Sequence, residues 1–165
     1  MGSEMCIRDR LSTQIEDQCN AFFQGLSEMI DPRWLRLFNR EELRVLVSGA
    51  ESPIDVDDLR RNTVYGGYHE KDMAVQYFWE ALSHFDQSSL KAFLRFVTSS
   101  PNPPLLGFSE LNPKFAIRHA GDDVTRLPTA STCVNLLKLP AYESVAQCAD
   151  KLRYAIYAGA GFDLS

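Results

Sequence analysis

The chain has 165 residues, 45% hydrophobic and 24% charged, a composition that can bury the core of one domain or of one domain with an appendage. A net charge of −5 with scattered Arg and Lys leaves no electrostatic footprint for nucleic acid. No apolar run reaches the ~18 residues that a membrane span needs.

Met1 to Arg10 carries Arg8 and Arg10 where a secretory signal would have its apolar core, so it is not read as one. It fits nothing that follows and is expected to be a leader or an artefact. Cys6, Cys19, Cys133 and Cys148 are far apart and form no CxxC pair. That argues against zinc and against a disulfide scaffold, and for reduced thiols in a cytosolic or nuclear protein.

From Ser12 to Ile30, apolar residues at Ile15, Cys19, Phe22, Phe23, Leu26, Met29 and Ile30 recur at steps of three and four and predict one buried helical face. Asp31-Pro32 ends that helix and starts a short one with Trp34, Leu35 and Phe38. Asn39-Arg40-Glu41-Glu42 has capping-box spacing and opens a third helix that stops at Ser48-Gly49. The acidic run Asp55 to Asp58 fails as a calcium loop, because Arg60 stands where the loop needs glycine. It reads as a helix cap and solvated turn. Tyr65-Gly66-Gly67-Tyr68 then supplies permissive backbone and is the expected hinge.

A helix is predicted over Asp72 to Phe85 and another from Asp86 or Ser88 through Val97, as an antiparallel pair. Thr98 to Pro113, with four prolines, is a long irregular connection. Phe115 to His119 is a short strand, Gly121-Asp122-Asp123 a turn, and Val134 to Leu139 a second strand closed by Pro140. Ser144 to Gln147 caps the last helix, whose inner face holds Val145, Cys148, Leu152, Ala155 and Ile156.

Cys19 and Cys148 lie on apolar helical faces and read as small buried hydrophobes. The stripes Phe22/Phe23 and Tyr77/Phe78/Trp79 read as core rather than a ligand cage. His69, His84 and His119 have no metal-binding spacing, and no glycine-rich nucleotide signature is present, so no cofactor is expected. Cys133 differs. It stands between a Pro/Thr/Ser turn and a strand, outside any amphipathic pattern, where reactive groups are presented. Spacing alone still favours a structural role, because no histidine stands near it in the sequence.

Ordered segments beyond this resemble the C-terminal half of a HECT-type ubiquitin ligase domain. They are Trp34-Leu35, Glu41-Glu42-Leu43, Ser48-Gly49, Asp58 to Tyr65, Phe78-Trp79-Glu80, Leu94 to Ser99, Pro104 to Leu111 and Phe115-Ala116-Ile117. The strongest is Leu127-Pro128-x-x-x-Thr132-Cys133-x-Asn135-x-Leu137-x-Leu139-Pro140, followed by Lys151-Leu152-x-x-Ala155-Ile156 and a Gly161-Phe162 tail. The run Asn135 to Pro140 and the tail are most similar to the branch that includes UBE-three-C and the yeast ligase Hul-five.

The resemblance implies an α+β chain. Residues 1–10 are the leader, 11–65 the end of a helical N-lobe, 66–71 a hinge, and 72–165 a small α/β C-lobe. It implies that Cys133 accepts ubiquitin as a thioester from a ubiquitin-conjugating enzyme and passes it to a lysine of a protein substrate. Thr132, Leu127, Pro128 and Asn135 would support that cysteine, and Phe162 matches a position needed for lysine transfer. Ser131 stands where many members carry His, and Val134 where Phe is common. The proton acceptor is therefore open among the carboxylates Glu110, Asp122, Asp123 and Asp163, a group of the N-lobe portion not in the chain, and a group of the substrate. The family domain is roughly twice this length, so the chain is expected to be a fragment lacking most of the conjugating-enzyme docking surface. A non-catalytic ubiquitin-binding scaffold is the competing reading. Residues 11–49 are expected to expose apolar surface, because the rest of their lobe is not in the chain.

Overall fold

The computed structural model describes the backbone of residues 3–48 and 52–158 and the side chains of residues 15–46 and 52–158. The chain divides into two compact units, Met1–Arg44 and Val45–Ser165.

In the first unit, α1 (Ser3–Met29) runs without a break across the expected leader boundary and is followed by α2 (Pro32–Leu35). Asp31 caps α2 by accepting from the Arg33 amide, and Pro32 takes the first helical position. The box at α3 (Arg40–Ser48) is reciprocal: Asn39 N–H donates to Glu42 at 2.7 Å and Glu42 N–H donates back to Asn39 at 2.9 Å.

The apolar faces of these helices, however, are uncovered. Phe22, Phe23, Met29, Trp34 and Leu37 are all more than half exposed, as expected for residues 11–49. Cys19 is exposed too, which corrects its reading as a buried hydrophobe, and the same correction applies to Phe22/Phe23 as core. An amphipathic stripe records what a helix must cover, and among the described residues this one stays open to solvent.

The second unit is an α+β layer structure. Its sheet has strand order β1-β2-β4-β3, with β1 (Val64–Gly66), β2 (Ala116–His119), β3 (Thr129–Ser131) and β4 (Leu136–Leu139). The pairs β1/β2 and β2/β4 are parallel, and β3 lies antiparallel on β4. Parallel pairing needs a long crossover. Between β1 and β2 that crossover includes α5 (Met73–Ser83) and α6 (Gln87–Thr98). The last helix, α7 (Val145–Ala158), packs against both α5 and α6.

The core between sheet and helices holds Phe78, Phe93, Phe115, Ile117, Leu137, Leu139 and Leu152. Phe93 meets Phe115 edge-to-face at 6.0 Å. Each such side chain contributes about 1.5–3 kcal/mol by leaving water. Cys148 is fully buried among them, and burial pushes its thiol up to about 12. Phe78 and Trp79 are buried, whereas Tyr77 is only half-buried.

The compact units divide between Arg44 and Val45, so the glycine stretch expected as a hinge over 66–71 lies within the second unit. Ile54 and Leu59 are buried in the same core as Phe78. Trp79 Nε1 donates to the Tyr65 hydroxyl at 3.0 Å, and the buried Tyr68 hydroxyl donates to the Leu139 carbonyl at 3.0 Å. The aromatic residues flanking the glycine pair thus tie this stretch into the sheet and its helices. The acidic run acts as expected, with Asp55 capping α4 (Val56–Arg61). Asp58 does more: its carboxylate accepts from the Phe108 amide, fifty positions away, at 2.8 Å. Val134, expected to open the second strand, lies instead in a 3-10 turn before β4.

Candidate active site

Cys133 is the middle residue of a 3-10 turn, Thr132–Val134, between antiparallel β3 and β4, and it is exposed. The turn is held from three sides. Strands β3 and β4 clamp its ends through the Ser131–Leu136 pair. Helix α6 contacts it. Asn135 closes it in the left-handed conformation (φ 50°), which Asn tolerates better than most residues because its side chain bonds locally. Here the buried Asn135 amide Nδ2 donates to the Pro113 carbonyl at 2.6 Å. The Asn135 N–H donates to the Thr132 carbonyl at 3.3 Å, and its carbonyl accepts from the Ala116 amide at 2.9 Å. The residue after the cysteine's turn therefore bonds to the turn, to the connection before β2 and to β2 itself.

Leu127 and Pro128 precede β3. Pro128 is buried, while Leu127 is partly exposed and borders a shallow hollow with Asp150, Lys151 and Tyr154 of α7. Two bonds hold the approach to Leu127: the Tyr142 hydroxyl donates to the Arg126 carbonyl at 2.7 Å, and Lys151 Nζ donates to the Thr125 carbonyl at 2.7 Å. Val134 and Tyr154 are about half exposed or more. Exposed apolar side chains therefore stand in two places: Val134 beside Cys133 in the turn, and Leu127 with Tyr154 at the hollow before β3. Tyr154 is a large aromatic on the outward face of the last helix, which its place off the apolar stripe makes legible in the sequence. Pro113, acting through its carbonyl, left no sequence signal.

The candidate carboxylates separate by topology. Asp122 and Asp123 lie in the turn after β2, at the end of the sheet where His119 pairs with Leu139. Cys133 lies at the other end, before Leu136. Three strand steps, about 10 Å, intervene between those ends. Asp122 accepts from His119 Nε2 at 3.1 Å, and Asp123 is held below the usual carboxylate range by bonds from the Thr125 hydroxyl and amide. Glu110 precedes β2 and so falls at the cysteine's end. Phe162 and Asp163 lie outside the described residues. Among the described residues, no group of three or more His, Cys, Asp and Glu is arranged to hold a metal ion.

Cys133 is thus a free, exposed thiol on a braced turn, with the exposed Val134 beside it. The chain belongs to the HECT-domain (ubiquitin-transferase) family, which it matches over residues 3–165. It is 49% identical over 156 residues to a probable E3 ubiquitin protein ligase of Schizosaccharomyces pombe, covering 94% of this chain and 15% of that protein. It is 54% identical over 146 residues to the E3 ubiquitin-protein ligase HUL5 of Saccharomyces cerevisiae, covering 88% of this chain and 16% of that protein. With ubiquitin-protein ligase E3B of Homo sapiens the identity is 41% over 182 residues, covering 94% of this chain and 17% of that protein. These relatives agree with the branch read from the sequence. The chain spans less than a fifth of their length.

Proposed function

We propose that the chain is the acyl-carrying part of a ubiquitin ligase, with Cys133 as the nucleophile. The Cys133 thiolate attacks the thioester carbonyl joining ubiquitin to a conjugating enzyme. That enzyme's thiolate leaves, and ubiquitin is held on Cys133. A lysine amine of a protein substrate then attacks the same carbonyl. An isopeptide bond forms, the Cys133 thiolate leaves, and the proton from the amine passes to a base. The exchange requires a free thiol, which fits a reducing compartment, cytosolic or nuclear.

The observation that carries this reading is the exposed thiol on a turn braced by Asn135, in a chain of the HECT family. Leu127, Val134 and Tyr154 supply apolar contact for the carried ubiquitin. The chain spans less than a fifth of the length of these relatives, so loading is tested in the context of a full-length relative. The non-catalytic scaffold reading differs in predicting no adduct at all.

The test grafts this chain into the Schizosaccharomyces pombe relative in place of its counterpart and supplies a charged conjugating enzyme. A ubiquitin adduct that reducing agent removes, and that is absent from Cys133→Ala, is expected. An adduct unaffected by Cys133→Ala, or none from the unaltered graft, overturns the reading.

A further inference from the structure

The outward face of the sheet carries a feature that a chain of net charge −5 does not predict. A cavity of about 240 Å³ opens where Arg118 of β2, Lys138 of β4 and Arg126 of the connection meet, with Thr129 of β3 and the edge of His119. Register explains the convergence. Arg118 pairs with Lys138 across β2/β4, and Lys138 pairs with Thr129 across β4/β3, so the three stand in one row. Their neighbours along the strands, Ile117, Leu137 and Leu139, are buried on the other face, so alternation turns this row outward.

Like charges side by side on a sheet are unfavourable unless something offsets them. Among the described residues, Arg118 and Lys138 make no ion pair. Neither Asp122 nor Asp123 lines the cavity: Asp122 bonds to His119, and Asp123 bonds to Thr125 and is also acted on by Arg126 and Lys151.

We infer that this cavity receives carboxylate side chains of the acceptor protein, so that lysines flanked by Asp or Glu are the favoured targets of transfer. The inference rests on Cys133 as the carrier. Charge complementarity and position favour this occupant. The row begins two residues, about 7 Å, beyond Leu136, where β4 leaves the cysteine's turn. An extended segment with its lysine at Cys133 reaches the row with residues a few positions away. The apolar surface at Val134 and Tyr154 is left to the carried ubiquitin, with Leu127 standing at the border between that surface and the cavity.

The experiment has two arms. In the first, the 165-residue chain is titrated into a fluorescein-labelled peptide, Glu-Glu-Gly-Lys-Gly-Glu-Glu, and into its Gln counterpart. The acidic peptide is expected to bind roughly five-fold or more tighter. That advantage is lost on raising salt or in Arg118→Gln/Lys138→Gln, and is kept in Arg118→Lys/Lys138→Arg. In the second, the grafted ligase is loaded and then discharged to each peptide. The Gln double variant is expected to load normally and to lose only its preference for the acidic peptide. Equal binding of both peptides, or an advantage untouched by the double variant, overturns the inference. So does a loading defect as large as the discharge defect. If no adduct forms, the carrier reading has failed, and the titration still decides the cavity's chemistry.

Discussion

The Asn135 side chain donates to the Pro113 carbonyl at 2.6 Å, joining the residue after the Cys133 turn to the connection that enters β2. Asn135 is also left-handed and 7% exposed. Two costs are therefore separable. Asn135→Ala leaves a carbonyl unpaired and puts a residue that disfavours left-handed backbone at φ 50°, and is expected to cost about 2–4 kcal/mol. Asn135→Gly keeps the backbone at ease and loses only the bond, about 1–3 kcal/mol. Urea unfolding midpoints of both variants check the order. A glycine variant as damaged as the alanine one would show that backbone conformation contributes nothing there.

A second tie crosses the same unit. Gly107 has φ 94°, and a Cβ added there would meet the Asp58 carboxylate at 3.0 Å, the group that accepts from the Phe108 amide. Asp58→Ala and Gly107→Ala are each expected to destabilise by about 1–3 kcal/mol. Together they should cost less than the sum, because removing Asp58 relieves the contact that the new methyl makes. Strict additivity in denaturant unfolding would count against this coupling.

Thiol chemistry should divide the cysteines. Alkylation needs the thiolate. Cys133 and Cys19 are exposed, while Cys148 is buried with its thiol pushed up to about 12. Between about pH 7 and 9, iodoacetamide is expected to label the peptides carrying Cys133 and Cys19 and to leave the Cys148 peptide unmodified until urea is added. Peptide mass mapping checks this, and early labelling of Cys148 would mean that the core opens readily.

Topology removes two bases from consideration. With Asp122 and Asp123 at the far end of the sheet from Cys133, Asp122→Asn and Asp123→Asn are expected to leave single-turnover discharge to free lysine within about two-fold of the unaltered protein, a difference of about 0.4 kcal/mol at most. A loss of about ten-fold in either would show that this end of the sheet reaches the cysteine.

The long periodic helices were legible in the sequence. Leu90, Phe93, Leu94 and Val97 on α6, and Cys148, Leu152 and Ile156 on α7, are buried as their spacing predicts. The short strands were not. Val64–Gly66 and Thr129–Ser131 are three residues each, too brief for alternation to register, and only pairing with β2 and β4 makes them strands. The same gap bears on the glycine pair, since Gly66-Gly67 reads as permissive until Tyr65 and Tyr68 are seen bonded to Trp79 and Leu139. On α1 the periodicity marks the face that must be covered, and that face is exposed as expected for residues 11–49, because burial depends on a partner that periodicity cannot name. For Cys133 the sequence supplied the residue and its neighbours Thr132 and Asn135. The long-range bond to Pro113 required the folded chain.

The central claim is that ubiquitin is carried on the Cys133 sulfur. Its most direct measurement traps the carrier in the grafted ligase with Cys133→Ser and maps the modified peptide by mass spectrometry. A ubiquitin remnant on the introduced serine, stable to reducing agent where the unaltered adduct is not, is the predicted result. A remnant on any other residue, with the introduced serine unmodified, would contradict the account.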